Sequence, residues 1–384
     1  MWDNVVGIGQ DVHRTFSILA SRDARGKVVR RERLEHEDRA KLRARLKQYP
    51  PGTVVILEAS FGWGWMSDEV EAAGLVPRLA NSHKVAKWRQ TRGPAKSNRR
   101  DAELLSELSF ERGTWWEVWR APAAVRRLRE LMRHRMALVG HQTMLKNRIH
   151  AALHRQGIVQ GFSDLFGVGG LRWLAQLVED GEVPLTDSAR LVINDNLKML
   201  SAARRRLAGM LRLYRGELRS SPAMRHLRSL PGVGLLLAFT IMAEIGDIGR
   251  FATARHLASY SLLAPIANDS GDDDGTNALG RHVGHVGRGT LKWAWVEAAH
   301  AASRRKGEFA ELFNRVTDGG QRNRSRGYIA VAHELCRRAY VLLRKQVNYS
   351  PLRPARPGSP ALVRECTQTR APYGPSASAE QTST

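Results

Sequence analysis

The chain has 384 residues, and 61 Lys and Arg against 37 Asp and Glu leave a formal charge of +24; at roughly 150 residues per domain the length implies two or three domains. Such a charge self-repels unless a polyanion offsets it, which makes nucleic acid the leading partner. Hydrophobic residues at 42% exclude a wholly disordered basic chain, and no apolar run reaches the roughly 18 residues that cross a bilayer.

Met1-Trp2-Asp3-Asn4 opens no basic-then-apolar signal, so neither export nor a membrane partner is expected. Cys336 and Cys366 fall in no Cys-x-x-Cys pair or zinc spacing, so a disulfide framework and a structural zinc are not expected either.

Val5-Val6-Gly7-Ile8-Gly9 reads as a buried strand, 15–20 as a second and, after a turn at Asp23 and Gly26, 28–31 as a third. Helical spacing over 37–48 stops at Pro50-Pro51-Gly52, and Val54-Val55-Ile56-Leu57 is apolar and β-branched enough for an interior parallel strand. A helix over 66–73, a short strand over 75–79 and a helix over 99–107 complete an α/β pattern with an RNase H-like order.

From Pro122 the texture is all-helical. Leu131, Leu138, Leu145 and Ala152 recur every seven residues, as in a long helix burying one stripe. Its other faces carry Arg126, Arg127, Arg129, Arg133, Arg135, Lys146, Arg148 and Arg155, with Glu130 almost alone among them. An ordinary solvated face would alternate acids with bases, so this one is expected to meet a polyanion. The stretch 157–184 interrupts the pattern at Gly167, Gly169 and Gly170, and a second helix runs over 188–219, forming either an antiparallel hairpin with the first or a pairing between subunits.

The expected layout is therefore α/β plus all-α, with an N-terminal domain over 1–114, a basic helical, coiled-coil region over 115–221 and a helical domain over 222–350. A Pro-, Ser- and Thr-rich tail over 351–384 has too few apolar groups to offset its ordering entropy.

Asp11 follows the first strand and Glu58 closes the interior one, so pairing of those strands brings both carboxylates to one sheet edge. Asn98 and Asp101, three apart, share a face of an entering helical turn. Oxygen donors of this kind suit Mg2+ or Mn2+. Lys96, Arg99 and Arg100 beside them are candidate phosphate contacts.

In the last region Leu230-Pro231-Gly232-Val233-Gly234 resembles a helix-hairpin-helix turn, where Gly232 and Gly234 would let backbone N–H groups approach a phosphate. Asp272-Asp273-Asp274-Gly275 fails as a calcium loop, since counting Ser270 as first puts Arg281 where a bidentate Glu is needed. His282 and His285 have no third ligand spaced to join them, and phosphate contact by Arg288 and Lys292 is the better reading. Trp115, Trp116 and Trp119 are expected in the core or an interface.

Ile8-Gly9-Gln10-Asp11-Val12-His13, Leu57-Glu58-Ala59-Ser60 and Lys96-Ser97-Asn98-Arg99-Arg100-Asp101-Ala102 together resemble the DEDD-type insertion-sequence transposases known as bridge-RNA-guided recombinases. Phe251, Leu257-Ala258-Ser259-Tyr260, Asp269-Ser270-Gly271, Gly287-Arg288-Gly289 and Leu291-Lys292 follow the order of that family's C-terminal transposase domain. The resemblance implies a RuvC-like first domain in which Asp11, Glu58 and Asp101 take the first, second and fourth acidic positions. Asn98 departs from the third and weakens metal affinity.

It also implies that Ser270 is the nucleophile, that the acidic and serine sites of different subunits meet at one phosphate, and that a structured non-coding RNA pairs with donor and target DNA. The two cysteines make the cytosol the natural compartment, taken as a bacterial cytoplasm with nucleoid association, and strand exchange by paired active sites makes a homodimer or homotetramer the expectation. Two rivals stand beside this reading. One is a metal-dependent Holliday-junction resolvase or nuclease with no covalent intermediate; the other is a catalytically weakened nucleic-acid-binding relative.

Overall fold

The strands Val5–Val12 (β1), Phe16–Asp23 (β2), Val28–Glu35 (β3), Val54–Glu58 (β4) and Val76–Ala80 (β5) form one sheet in the order β3-β2-β1-β4-β5. The computed structural model describes residues 4–91, 98–179, 185–218, 221–264 and 289–351, side chains at 211 and 213–218 apart. β1, β2 and β3 are an antiparallel meander, whereas β4 pairs in parallel with β1 and β5 in parallel with β4. Pro77, which donates no ladder hydrogen bond, sits on the edge strand β5, where that loss is tolerated.

Helices cover both faces. Alternation along β4 sends Val55 and Leu57 to a core shared with Leu42 and Leu46 of Arg39–Leu46 (α1) and Met66 and Val70 of Trp63–Ala72 (α2). Ile56 faces the other way, onto Val85 of Ser82–Gln90 (α3) and Leu105 and Leu108 of and after Asn98–Glu107 (α4). Trp116 is fully buried in this second core, Trp115 is partly exposed against Trp88, and the Trp119 ring lies against Gly246.

Ala123–Arg155 (α5) and Asp187–Leu218 (α7) are the two long helices, with Val168–Glu179 (α6) between them. They pair within the chain and run antiparallel: Gln156, just past α5, accepts from the Thr186 backbone N–H just before α7 at 3.2 Å. Leu145, Ile149 and Leu153 bury with Leu174, Leu177, Ile193 and Leu200. α6 lies inside the stretch expected to be irregular. Gly170, read as a breaker, instead lets the chain approach the Leu165 carbonyl, which an added Cβ would meet at 2.1 Å.

The described residues divide into two units, Met1–Ser221 with Phe239–Ile248 and Pro222–Ala238 with Gly249–Thr384. The remaining helices are Pro222–Ser229 (α8), Leu235–Ile245 (α9), Ala254–Tyr260 (α10), Gly289–Ala302 (α11), Glu308–Thr317 (α12) and Arg324–Lys345 (α13). In the second unit α10, α11 and α12 pack on α13. Trp295 is fully buried there and donates to the Ser261 hydroxyl at 3.3 Å. The fold is thus a mixed α/β sheet domain followed by a helical region. Among the described residues no helix is long and apolar enough to cross a membrane. The tail expected over 351–384 lies outside them from residue 352 on.

Candidate active site

The parallel register sets Gln10 opposite Leu57, so Asp11 and Glu58, one residue further on, stand together at the same edge of the sheet. α4 supplies the third acid. Gly7, Gly9 and Asp11 share one face of β1, and a Cβ at Gly9 would meet the Ala102 carbonyl oxygen at 2.1 Å and the Ser106 nitrogen at 2.2 Å. Only glycine allows a helix to lie that close, and the approach carries Asp101, in the first turn of α4, onto the Asp11 side of the sheet.

Asp101 is 6% exposed. Burial raises the Asp11 carboxyl above the ordinary carboxylate range, the Asp101 charge adds to the rise, and His13 opposes it with Nε2 2.9 Å from Asp11 Oδ2. Glu58 is raised in the same direction, first by burial and then by Asp11 and Asp101, against the pull of Ser82 and Arg89. The three acids therefore feel one another's charge. Arg89 on α3 sits among them, its Nε 3.0 Å from Asp101 Oδ1 and an Nη 3.7 Å from Glu58.

These residues fit a divalent cation in donor chemistry. All three are hard oxygen donors, and Asp101 Oδ1 is buried with no hydrogen-bond partner among the described residues. Three carboxylates against one guanidinium leave two negative charges to neutralise. As they stand, no three acidic or histidine side chains close on one point among the described residues, and the Arg89 guanidinium contacts two of the three acids. Asn98 opens α4 with an exposed side chain, one turn before Asp101.

The sequence did not single out Arg89. Its helix is polar, with Val85 its only buried residue. The available signal was Asn81 directly after a strand, and its side chain does cap α3 by accepting from the His83 and Lys84 backbone N–H groups.

Several cations on α5 are occupied within the protein. Arg126 pairs with Asp68 and donates to the Ala121 carbonyl at 2.8 Å. Arg129 donates to the Ala243 and Glu244 carbonyls at 2.9 and 2.7 Å, and Glu244, with a side chain 4% exposed, lies 3.7 Å from both Arg129 and Arg133. The acids missing from α5 itself come from α2 and α9. Lys146 lies over the Phe166 ring at 5.2 Å, while Arg148 is exposed. Arg99 is exposed and Arg100 half-buried at the start of α4.

In the second unit Gly232 has φ +81°, and a Cβ there would meet the Ala298 carbonyl at 2.2 Å, so packing alone requires this glycine. Gly234 is exposed, and a Cβ there would meet nothing within 4 Å among the described residues. Lys292 is half-buried on α11. Lys96, Ser270, Asp272, Asp273, Asp274, His282, His285 and Arg288 lie outside the described residues.

Residues 8–157, which include this sheet edge and its three acids, match the family model DEDD_Tnp_IS110, described as a transposase. Residues 224–314 match the Transposase IS116/IS110/IS902 family. Both matches point to the IS110/IS116 family of transposases.

It is similar to the "Probable family 20 transposase" of Pseudomonas aeruginosa, 24% identical over 91% of this chain and 99% of that protein. It is also similar to the "Transposase for insertion sequence element IS1111A" of Coxiella burnetii, 23% identical over 70% of each chain. A transposase of that family binds DNA and cleaves and rejoins it, and a DEDD-type domain points to a divalent metal.

Proposed function

We propose that the protein exchanges DNA strands through a phosphoserine linkage at Ser270. In this reading a divalent ion, Mg2+ or Mn2+, is held by Asp11, Glu58 and Asp101, with Asn98 as a neutral oxygen donor. A structured non-coding RNA selects donor and target DNA. The observation that carries the reading is the sheet edge that gathers Asp11, Glu58 and Asp101, where Asp101 keeps a buried oxygen without a hydrogen-bond partner among the described residues.

When bound, the ion supplies positive charge to phosphate oxygens and to the group that leaves. The carboxylates would hold that ion through their fixed positions on β1, β4 and α4, and burial keeps bulk water from screening them. At Ser270 the hydroxyl oxygen bonds to phosphorus as the bond to one sugar oxygen breaks. The serine proton is lost, and the released sugar oxygen gains one. Attack by the incoming strand's hydroxyl reverses these changes and frees the serine. Bond number is conserved, so no nucleoside triphosphate is needed, and the chain has no Gly-x-x-x-x-Gly-Lys loop to bind one. Paired strand exchange suits a homodimer or homotetramer. Arg148, with Arg99, Arg100 and Lys292, supplies cations for the nucleic-acid backbone.

Denaturing gels of the protein with its DNA, copurified RNA and Mg2+ test the chemistry. A protein-linked DNA strand is expected, lost in both Ser270→Ala and Asp11→Ala. Cleavage by Ser270→Ala with no linked strand would make the protein a hydrolytic, metal-dependent resolvase or nuclease. Salt-sensitive binding with no cleavage under any divalent ion would make it a binding relative. Sequencing of the copurified RNA is expected to return one discrete species complementary to the element's junctions, and full activity without RNA would remove the guide.

A further inference from the structure

Arg89 is 19% exposed at its side chain and leans from α3 into the acidic edge, touching Asp101 at 3.0 Å and Glu58 at 3.7 Å. The shorter contact lacks hydrogen-bond geometry, since both Arg89 Nε and Asp101 Oδ1 are buried without a hydrogen-bond partner among the described residues. A structural Arg–carboxylate pair is normally forked and well aligned. The pair Arg78–Glu117 in the same unit shows that form, with two bonds of 3.1 and 2.6 Å. Arg89 is instead placed as a point charge between two acids.

We propose that Arg89 is a placeholder cation: its guanidinium keeps Glu58 and Asp101 together on the sheet edge in the metal-free protein and gives way to the divalent ion that binds there. The inference rests on the metal reading of this site. Removing one nearby positive charge strengthens the attraction of the site for another. Removing it also leaves the acids repelling one another when no ion is present. Arg89 is thus a positioning residue that lowers the site's affinity for metal and stabilises its empty form. A purely structural arginine would do the second without the first.

The test measures Mn2+ binding to the full-length protein by paramagnetic resonance, together with Tm with and without Mn2+. For Arg89→Gln the expected result is binding about tenfold tighter than wild type, from loss of one competing charge within a few ångströms. Its Tm is expected to fall without metal and to recover with Mn2+, while Arg89→Lys keeps both values near wild type. Unchanged or weaker binding by Arg89→Gln, with wild type binding normally, overturns the placeholder and leaves the metal site standing. If neither wild type nor Arg89→Gln binds Mn2+, both readings fail together. Should Arg89→Gln not fold, Arg89→Met, which keeps the aliphatic stem, carries the same comparison, and tighter binding by it supports the proposal.

Discussion

Gly9 lies directly under the Ala102 carbonyl, so close that a methyl group there would sit 2.1 Å from the oxygen. This contact sets the distance between β1 and α4, and with it the distance between the acids at positions 11 and 101. Gly9→Ala is expected to destabilise the protein by about 1–3 kcal/mol, the usual cost of overpacking. Urea unfolding measures this. Because α4 must lift, Gly9→Ala is also expected to lose more DNA cleavage than its stability alone explains, and unchanged stability would show that the contact is not as tight as described.

The raised carboxyls give a pH signature. A group whose folded pKa lies above its unfolded value binds protons more tightly when folded, so stability is lost as pH rises. The window opens at the ordinary carboxylate value of about 4 and extends upward through the raised values of Asp11 and Glu58. Asp11→Asn and Glu58→Gln are therefore expected to be more stable than wild type in metal-free buffer at pH 7. The gain should shrink to nothing near pH 4, and Tm across that range reads it. A variant less stable than wild type at pH 7 would contradict the burial-raised carboxyls.

Two arginines on one helix should behave in opposite ways. Arg129 is tied to Glu244 and to two carbonyls, so Arg129→Ala leaves a buried acid short of charge and is expected to cost about 3 kcal/mol. The salt dependence of nucleic-acid binding should not change. Arg148 is exposed, and Arg148→Ala is expected to leave stability alone while lowering the slope of log K against log salt by about 0.9, the share of one phosphate contact. Fluorescence anisotropy at several salt concentrations separates them.

Asn98 stands one turn before Asp101 with an oxygen but no charge. Asn98→Asp is expected to lower the Mg2+ concentration at which cleavage is half-maximal. No change in metal dependence would remove this residue from the set of ligands.

Much of the sheet could be read from local pattern. Val54-Val55-Ile56-Leu57 ends at Glu58 as its β-branched run implies, and β4 does pair in parallel with β1. β3 was underestimated because Arg30 to Glu35 is charged at every position but Leu34 on an edge strand, leaving only Leu34 buried to mark it. α3 and α6 were missed for opposite reasons: α3 buries one apolar residue, and α6 begins among glycines that pack instead of breaking the helix. The residues that changed the reading of the site could not be seen locally. Arg89 reaches an acid on another helix, and Arg129 finds its acid 115 residues away in the chain. Such pairs are set by packing, which composition and spacing do not reveal.

The parallel ladder between β1 and β4 joins Gln10 to Leu57 only after the whole meander has been made. Contacts so distant in sequence form late, because the loop-closure entropy comes due before they contribute. A nascent chain stopped short of Asn98 therefore carries Asp11 and Glu58 but neither the helix that seats on Gly9 nor the third acid it brings. Partly synthesised copies carry the proposed metal site incomplete until α4 has been made.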